Sequence, residues 1–390
     1  MNTPLVVFGE DWGSHPSSTQ HLIRRLAADR TIIWVNSIGL RWPRPTVHDL
    51  QRMAAKLTAA IVDRRDRQGA DTVPAPDMPR LHIIDPLAIP ASAHSLVRYL
   101  NRNLLAGLVR RMMRRHGLSR PILWISVPTA VDVVGSLGER AVVYYCGDDW
   151  VAMPGVDHAP VAFLEGELAA KADLILAASA VIAAKFPAAK TVLLPHGADV
   201  AQFTAGDAPR PADLPSGPPI AGYYGTLSEW MDTDLLAAVA AALPDWLIYL
   251  IGPVRTDVSA LAALPNVVLA GPRPHASLPA YVRHWQVSLM PFRQSPMTQA
   301  FNPLKLREYL AAGTPLVTTD FPALDGYRDL VEVARSPEEF AAAIRRAGAE
   351  GRQREGLRQD RVSGETWEAR AQDVDLLLAR FQSAHEAKRS

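Results

Sequence analysis

The chain has 390 residues, a length at which one hydrophobic core usually stops growing and a second domain is expected. Its 41 basic and 40 acidic residues give a net charge of +1, so no global excess of charge indicates nucleic-acid binding. The single cysteine, Cys146, excludes an intramolecular disulfide, and the first residues show no signal-peptide pattern. No apolar run reaches the roughly 18 residues that span a bilayer. We therefore expect a globular protein of the cytoplasm.

Short apolar runs alternate with helical stretches along the first half of the chain. This alternation is typical of a parallel sheet with crossover helices. The runs are PLVVFGE, TIIWVNS, PILWISVP, AVVYYCGDD, ADLILAAS and TVLLPHG. They predict a first domain over residues 1–203.

A stretch rich in Pro, Ala and Gly, residues 204–219, then predicts an interdomain linker. A second series of runs follows it: IAGYYGTLS, DWLIYLIGP, NVVLAGP, VSLMPFR and TPLVTTD. We predict a second domain over residues 220–364 and a C-terminal helix over residues 365–390. The predicted fold class is α/β, with two doubly wound, Rossmann-like parallel sheets facing a cleft in which ligands bind.

One helical stretch of the first domain, VRYLNRNLLAGLVRRMMRRHG, carries Arg110, Arg111, Arg114 and Arg115 near its end. One interpretation is a solvated face whose cations suit the C-terminus of a helix. The other is a patch for anionic lipid headgroups or a lipid diphosphate acceptor. Peripheral contact with the inner membrane surface therefore stays an open alternative.

The turns after the strands carry the candidate functional residues, because ligands bind at the carboxyl ends of parallel strands. Gly225 directly follows the run IAGYY, where a backbone without Cβ lets a phosphate approach helix-start amides. Neither G-x-G-x-x-G nor the P-loop pattern occurs, which removes the main support for dinucleotide redox chemistry and P-loop hydrolysis.

The stretch FNPLKLREYLAAGTPLV predicts a helix that Asn302 caps, that Pro303 starts and that Gly313 ends. Lys305 lies in its first turn, where a cation is slightly unfavourable unless an anion binds beside it. Glu308, one turn later, can accept two hydroxyl hydrogens from a ribose. The alternative is a weak Lys–Glu pair within the helix.

Carboxylates after two strands of the first domain are candidates for a general base. Asp148 and Asp149 follow the run AVVYYC and come first, and Asp11 and His15 come next. A helix-capping or turn cluster is the alternative for the Asp pair. The loop GEDWGSH opens into a helix and suggests acceptor binding by Glu10 and His15. The Asp pair lacks further evident ligands, so no metal site is predicted.

Four segments together resemble bacterial glycosyltransferases of the GT-B fold, especially the family 4-like enzymes of cell-surface polysaccharide biosynthesis. They are NPLKLREYLAAGTPLVTTD, AGYYGTLSEWMDTDLL, LPHGADVAQF and YYCGDDW. The resemblance covers both domains and is strongest over residues 220–320. The closing TWEARAQDVDLLL is also similar to the C-terminal helix that crosses back to the first domain in that fold.

The resemblance implies that Glu308 binds the ribose of a nucleotide sugar and that Lys305 lies near its diphosphate. It places Gly225 and Thr226 beside the phosphates, with Arg255 as a further positive charge. Asn302, at the helix start, and His196, on the interdomain side of the cleft, complete the predicted donor-binding group.

Two positions depart from the family pattern. Many members carry paired glutamates separated by seven residues, and Ala300 stands at the first position of that pair. Many also have Arg and Lys in the turn where this chain has GTLSEWMD. These departures leave open whether transfer inverts or retains configuration, and how the diphosphate is bound.

The predicted function is transfer of a hexose-type sugar from a nucleoside-diphosphate sugar to a glycan or lipid-linked acceptor. The nucleotide sugar is the co-substrate, and no other cofactor and no nucleic-acid partner are expected. Two alternatives stay open. One is a nucleotide-sugar epimerase on the same fold, and the other is a non-catalytic subunit that binds a nucleotide sugar.

Overall fold

The computed structural model describes residues 2–13, 17–37, 73–75, 78–86, 95–153, 156–206 and 208–386. The chain forms two compact units, each built around one sheet. The first unit comprises residues 1–178, 182–195 and 371–390, and the second comprises residues 179–181 and 196–370.

The first unit contains an eight-stranded sheet in the order β3-β4-β2-β1-β5-β6-β7-β8. Seven strands are parallel, and β3 at the edge runs antiparallel to β4. The central strands are fully buried, as expected for a parallel sheet covered on both faces. The strands are β1 (Leu5–Phe8), β2 (Ile32–Val35), β3 (Val73–Ala75), β4 (Met78–Ile84), β5 (Ile122–Ile125), β6 (Ala141–Cys146), β7 (Leu174–Ala177) and β8 (Thr191–Leu193).

Helices join these strands in the alternation that the sequence predicted. Pro128–Val133 forms a short 3₁₀ helix after β5. The α-helices up to residue 195 are α1 (Ser18–Leu26), α2 (Ser95–Arg115), α3 (His158–Lys171) and α4 (Ala180–Ala183).

The second unit contains a six-stranded, wholly parallel sheet in the order β11-β10-β9-β12-β13-β14. Its strands are β9 (Ile220–Tyr224), β10 (Leu247–Ile251), β11 (Val267–Gly271), β12 (Val287–Met290), β13 (Leu316–Thr318) and β14 (Glu332–Val333). The helices after residue 195 are α5 (Val200–Thr204), α6 (Thr233–Ala242), α7 (Ser259–Ala262), α8 (Leu278–His284), α9 (Pro296–Ala300), α10 (Leu304–Ala311), α11 (Pro337–Glu350), α12 (Glu355–Val362) and α13 (Trp367–Glu386).

The predicted α/β class with two doubly wound parallel sheets is confirmed. All eleven apolar runs named above are strands. The sequence did not predict β3, β4 or β14. Strand β4 reads MPRLHII and is only partly buried, so its polar and proline residues hide the strand pattern.

The segment predicted as a linker packs on the second unit. Leu214 is buried in the hydrophobic core of that unit. The carboxylate of Asp213 accepts hydrogen bonds from Tyr281 Oη at 2.7 Å and from Arg273 Nη2 at 2.6 Å. The part of the first unit that precedes the predicted linker ends at Pro195. The last helix, α13, begins in the second unit and groups with the first from Ala371 onward.

The predicted cap of helix α10 is wrong, whereas its predicted end is confirmed. Pro303 occupies the N-cap position, and no side chain caps the helix. Asn302 Oδ1 instead accepts a hydrogen bond from Arg307 Nη1 at 2.6 Å. Gly313 has φ of 72°, the left-handed conformation that ends a helix readily only at glycine.

Candidate active site

The predicted donor residues lie near the point where the strand order of the second sheet reverses. The chain runs from β9 outward to β10 and β11, then returns to β12 on the other side of β9. In open parallel sheets, ligands bind outside the carboxyl ends of the strands at such a reversal. Gly225, the first residue after β9, lies at this position.

The backbone around Gly225 depends on two glycines and is held by neighbouring loops. Gly225 has φ of 132° and Gly252, directly after β10, has φ of 143°. A Cβ atom on Gly252 would lie 2.0 Å from the carbonyl oxygen of Gly225. Leu227 N–H donates to Pro253 at 3.0 Å, and Arg255 N–H donates to Leu227 at 2.7 Å. These contacts fix the turn in one conformation.

The side chain of Lys305 lies against this turn. A Cβ atom built on Gly225 would be 2.3 Å from Lys305 Cε and 2.7 Å from Nζ. The ammonium lies 5.6 Å from the ring centroid of Tyr223. Within the described part of the chain it forms no ion pair or hydrogen bond, although the negative charge of Glu308 still acts on it from a distance. Burial lowers the pKa of Lys305, which means that an anion beside the ammonium would be favourable.

We expect Gly225→Ala to destabilise the second unit and to displace Lys305. The new methyl group meets the lysine side chain at a backbone conformation that alanine rarely adopts. Strain of this kind costs about 1 to 3 kcal/mol, and the collision with Lys305 adds to it. The free energy of unfolding in urea measures the total.

Gly217→Ala is the matched control for this substitution. Gly217 also has a positive φ, 120°, but no atom lies within 4 Å of the position that its new methyl group would take. Its substitution therefore reports backbone strain alone. An equal loss of stability in the two variants would show that Lys305 does not press against the turn.

Glu308 is buried and is held by two residues from other elements. Tyr224 Oη donates a hydrogen bond to Glu308 Oε2, and His275 Nε2 lies 3.3 Å from Oε1. Burial raises the pKa of Tyr224, so its hydroxyl stays protonated and donates. The hydrogen bond to Glu308 raises the pKa of His275. A carboxylate has about four lone-pair sites, so Glu308 can accept two further hydroxyl hydrogens.

The other predicted donor residues have different surroundings. Thr226 is half-buried next to Gly225, and its carbonyl accepts from Tyr223 Oη at 3.3 Å. Arg255 is exposed in the loop after β10. His196 is buried, with its ring 6.2 Å from that of Trp367. The structure therefore brings Gly225, Thr226 and Lys305 together most closely.

Ala300, at the position of the expected first glutamate, is buried at the end of α9. A recess of about 960 Å³ opens beyond the carboxyl ends of β12 and β13, and no predicted donor residue lines it. Its arginines already pair with aspartates, as Arg328 and Arg335 do with Asp320. Lys305 has no such partner among the described residues and is the better candidate for a diphosphate.

The first unit places its candidate acceptor residues at a second reversal of strand order, between β1 and β5. Glu10 follows β1, and Gln20 Nε2 donates to its Oε1 at 3.4 Å. Burial raises the pKa of Glu10, and the charge of Asp148 raises it further. Asp11 Oδ1 accepts from Ser37 N–H at 3.1 Å, so this carboxylate joins the loops after β1 and β2.

Asp148 and Asp149 have separate roles, although they are adjacent. Asp149 Oδ1 accepts from the backbone of Val151 at 3.2 Å and from Lys185 Nζ at 2.7 Å. Lys185 also pairs with the buried Glu165 at 3.1 Å. Asp149 therefore stabilises a turn, and the prediction that it is the base is not favoured.

Asp148 is exposed, and among the described residues its carboxylate has no hydrogen-bond or ion-pair partner. Although the residue as a whole is exposed, the protein around its carboxyl group displaces water from it, and this desolvation raises the pKa of Asp148. A raised pKa brings a carboxylate closer to the range of an effective general base. Asp148 is thus the remaining member of the Asp pair for that role.

Sequence reasoning did not single out Tyr224, His275 or Lys185. Tyr224 lies inside a buried strand, and the other two lie far along the chain from the groups they contact. No local spacing could have shown these contacts. His15 lies outside the described residues. Within those residues, no group of three or more His, Cys, Asp or Glu side chains is arranged to hold a metal ion.

Comparison with known proteins finds a family match within the second unit. Residues 218–349 match the family model described as glycosyl transferases group 1. A curated relative, the putative teichuronic acid biosynthesis glycosyltransferase TuaH of Bacillus subtilis, is 39% identical over 108 residues. That alignment covers 27% of this chain and 27% of the relative.

Solved structures resemble the chain over nearly its whole length. Sucrose-phosphate synthase from Thermosynechococcus elongatus matches with a TM-score of 0.71 at 18% identity, covering 98% of this chain and 100% of that one. HepE from Anabaena, solved in complex with UDP-glucose, matches with a TM-score of 0.64 at 13% identity, covering 98% and 100%. The chain therefore has the fold of these glycosyltransferase structures, and residues 218–349 of its second unit match the group 1 family model. The finer resemblance to family 4 stays a prediction.

Proposed function

We propose that the protein transfers a sugar from a nucleoside-diphosphate sugar to a hydroxyl group of a glycan or lipid-linked acceptor. The observation that carries the proposal is the position of Lys305 and its lack of an ion pair. Its half-buried ammonium lacks a carboxylate partner in the described part of the chain and lies against Gly225 at the reversal of strand order. The group 1 family match spans both residues.

Departure of the nucleoside diphosphate requires stabilisation of developing negative charge. In this proposal Lys305 provides it, together with the backbone beside Gly225 and Thr226, and Arg255 adds a more exposed positive charge. Glu308, oriented by Tyr224 and His275, accepts the ribose hydroxyls. UDP-glucose in the similar HepE structure supports a nucleotide sugar as the donor.

The acceptor hydroxyl is assigned to the first unit in this proposal. If transfer inverts configuration, Asp148 removes the hydroxyl proton as a general base. Glu10 lies close enough for the charge of Asp148 to act on it, and it is proposed to orient the acceptor. The nucleotide sugar is the co-substrate, and no resident cofactor or metal enters the proposal.

No helix in the described residues is long and apolar enough to cross a bilayer. We propose that the protein works in the cytoplasm, where nucleotide sugars are available. Neither the epimerase nor the non-catalytic subunit is supported by the matches reported above.

Donor identity can be tested by thermal unfolding of the whole chain with UDP-, GDP-, ADP- and dTDP-linked sugars. A ligand that binds only the native state stabilises it by about 2.7 kcal/mol at a concentration of 100 times Kd. The donor that shifts the midpoint is then incubated with and without candidate acceptors. Release of nucleoside diphosphate that requires an acceptor supports transfer. A new sugar epimer formed without an acceptor would favour the epimerase, and binding without any turnover would favour the non-catalytic subunit.

Glu308→Gln is expected to weaken binding of the selected nucleoside diphosphate by about 10- to 100-fold, because a hydrogen bond to a charged group contributes about 1.5 to 3 kcal/mol. The diagnostic measurement compares the normal ligand with its 2′-deoxy and 3′-deoxy analogues by calorimetry. The parent protein should discriminate against the analogues, and the variant should not.

Tyr224→Phe is the matched control for this test, because it removes only the hydroxyl that orients Glu308. We expect it to reduce discrimination between the ligands by a smaller factor. Full discrimination in Glu308→Gln would remove Glu308 from the ribose site and leave the rest of the proposal standing.

A further inference from the structure

Helix α2 exposes an apolar surface over its first half. Leu96, Tyr99, Leu100 and Leu104 are 68%, 62%, 42% and 54% exposed. They are spaced by three, four and eight residues, so they share one face of the helix. Isolated exposed leucines are common, but four large side chains on one face form a patch.

On helix α3, Phe163 is also exposed, at 60%. Arg98 of α2 lies 5.7 Å from the Phe163 ring centroid. The same guanidinium pairs with Asp132 at 2.5 Å and with Glu167 of α3. Through Arg98, α2 is therefore held to the 3₁₀ helix and to α3, while Leu96 and Leu100 lie on the opposite side of α2.

The second half of α2 is strongly cationic. Residues 95–131 contain seven arginines and no Lys, Asp or Glu, in a chain whose net charge is only +1. Arg110, Arg111, Arg114 and Arg115 are all exposed. Among the described residues, the first three of these have no ion-pair partner.

This arrangement differs from that of two exposed arginines of the second unit. Arg345 pairs with Asp245 at 2.8 Å, and Arg361 pairs with Asp329 at 2.8 Å. Cations in the last turn stabilise a helix, which accounts for Arg114 and Arg115. That effect falls off within one turn, so it does not account for Arg110 and Arg111.

The apolar and cationic halves lie along one helix. With 21 residues, α2 is about 31 Å long. Arg111 and Arg114 continue the face that begins at Leu96 and Leu100, because they lie 15 and 18 residues after Leu96, close to whole numbers of helical turns. One face of the helix therefore offers large apolar groups and then guanidinium groups without an ion-pair partner among the described residues.

We propose that this face of α2 docks the protein on a membrane surface that contains anionic phospholipids. Guanidinium groups bind lipid phosphates, while leucine and tyrosine side chains enter the interfacial region. A free phosphate or a nucleic acid would satisfy the arginines and leave the apolar half exposed to water. A membrane surface with an anionic headgroup layer over an apolar layer matches both halves, and failure of the parent protein to bind vesicles would point to a partner protein instead.

The proposal is tested by co-sedimentation of the full chain with vesicles of phosphatidylcholine alone and of phosphatidylcholine mixed with phosphatidylglycerol. The parent protein should bind the mixed vesicles more strongly, and added salt should weaken that binding. Arg111→Gln combined with Arg114→Gln should lower the partition coefficient about 25-fold, because each arginine near the surface contributes about fivefold. Leu96→Ser combined with Leu104→Ser should lower it about tenfold.

Leu357→Ser combined with Leu376→Ser is the matched control, since these leucines are 59% and 71% exposed elsewhere on the chain. This variant should bind like the parent. Thermal unfolding of every variant checks that the exposed substitutions leave the fold intact. Unchanged binding in either α2 variant, equal binding to both kinds of vesicle, or no binding of the parent would overturn the proposal. Vesicle binding does not depend on sugar transfer, so these results leave the transferase proposal untouched.

Discussion

Replacing Lys305 by methionine is expected to weaken binding of the nucleoside diphosphate by about 10- to 100-fold. Methionine keeps the apolar stem against Gly225 and removes the charge that would contact the diphosphate. A hydrogen bond to a charged group contributes about 1.5 to 3 kcal/mol, which sets the expected range. Isothermal calorimetry with the nucleoside diphosphate selected by the thermal screen measures the change.

Arg345→Met is the control for this prediction, because it removes an exposed cation of the same unit that pairs with Asp245. It should leave affinity unchanged. Lys305 is also the single lysine between residues 196 and 370. Equal affinity in the parent and in Lys305→Met would exclude Lys305 from the diphosphate site and remove the main support for the donor assignment.

The same lysine predicts a pH dependence with a definite sign. Burial places the pKa of Lys305 below its ordinary value of 10.5 in the free protein, and a bound diphosphate would raise it again. Binding then takes up a proton between these two pKa values, so affinity falls as pH rises through the lower one. At each pH, the difference in binding free energy between the parent and Lys305→Met cancels the contribution from titration of the ligand. A difference that does not change with pH over this window would contradict the expectation.

Asp148→Asn is expected to reduce the rate of sugar transfer at least about 100-fold if the enzyme inverts configuration, because a general base contributes about 10²- to 10⁴-fold. The loss should appear in kcat with little change in donor affinity, since Asp148 belongs to the first unit. Activity of the parent should fall as pH drops through the raised pKa of Asp148, where the carboxylate becomes protonated. Initial rates across pH measure both effects.

Asp149→Asn provides the matched comparison one residue away. It weakens the contacts with Val151 and Lys185, so we expect a loss of stability with a smaller change in kcat. Equal losses of kcat in the two variants would assign both effects to a distorted turn. Normal transfer by Asp148→Asn, with the anomeric configuration of the product retained, would show that no general base is needed here.

The strands and the two-sheet organisation could be read from sequence because each strand is a continuous apolar run bounded by Gly, Pro or polar residues. The runs LVVF, IIWV and ILWI are buried at every position, and such runs predict strands well. Strand β4 could not be predicted in this way, because it is half-buried and contains Pro79 and Arg80. Its identity as a strand depends on pairing with β2, a contact that exists only in the folded chain.

In the helix that carries Lys305, the end was predictable from local sequence and the start was not. Gly313 ends it as predicted, since left-handed backbone favours glycine locally. Its start was mispredicted, because Asn302 is used by Arg307 instead of the backbone. Arg307 also pairs with Glu365 at 2.5 Å, a contact between residues far apart in the chain.

The sequence by itself determined the fold class, the positions of most strands, the glycine turn after β9 and the candidate residues around it. These features depend on local composition and periodicity, which a single chain displays directly. The tertiary structure decided which candidates are already held by other side chains of the described residues. Lys305 lies against Gly225, Glu308 is held by Tyr224 and His275, and Asp149 is paired with Lys185 while Asp148 has no such partner among the described residues. Those outcomes depend on contacts between distant segments, and no local pattern encodes them.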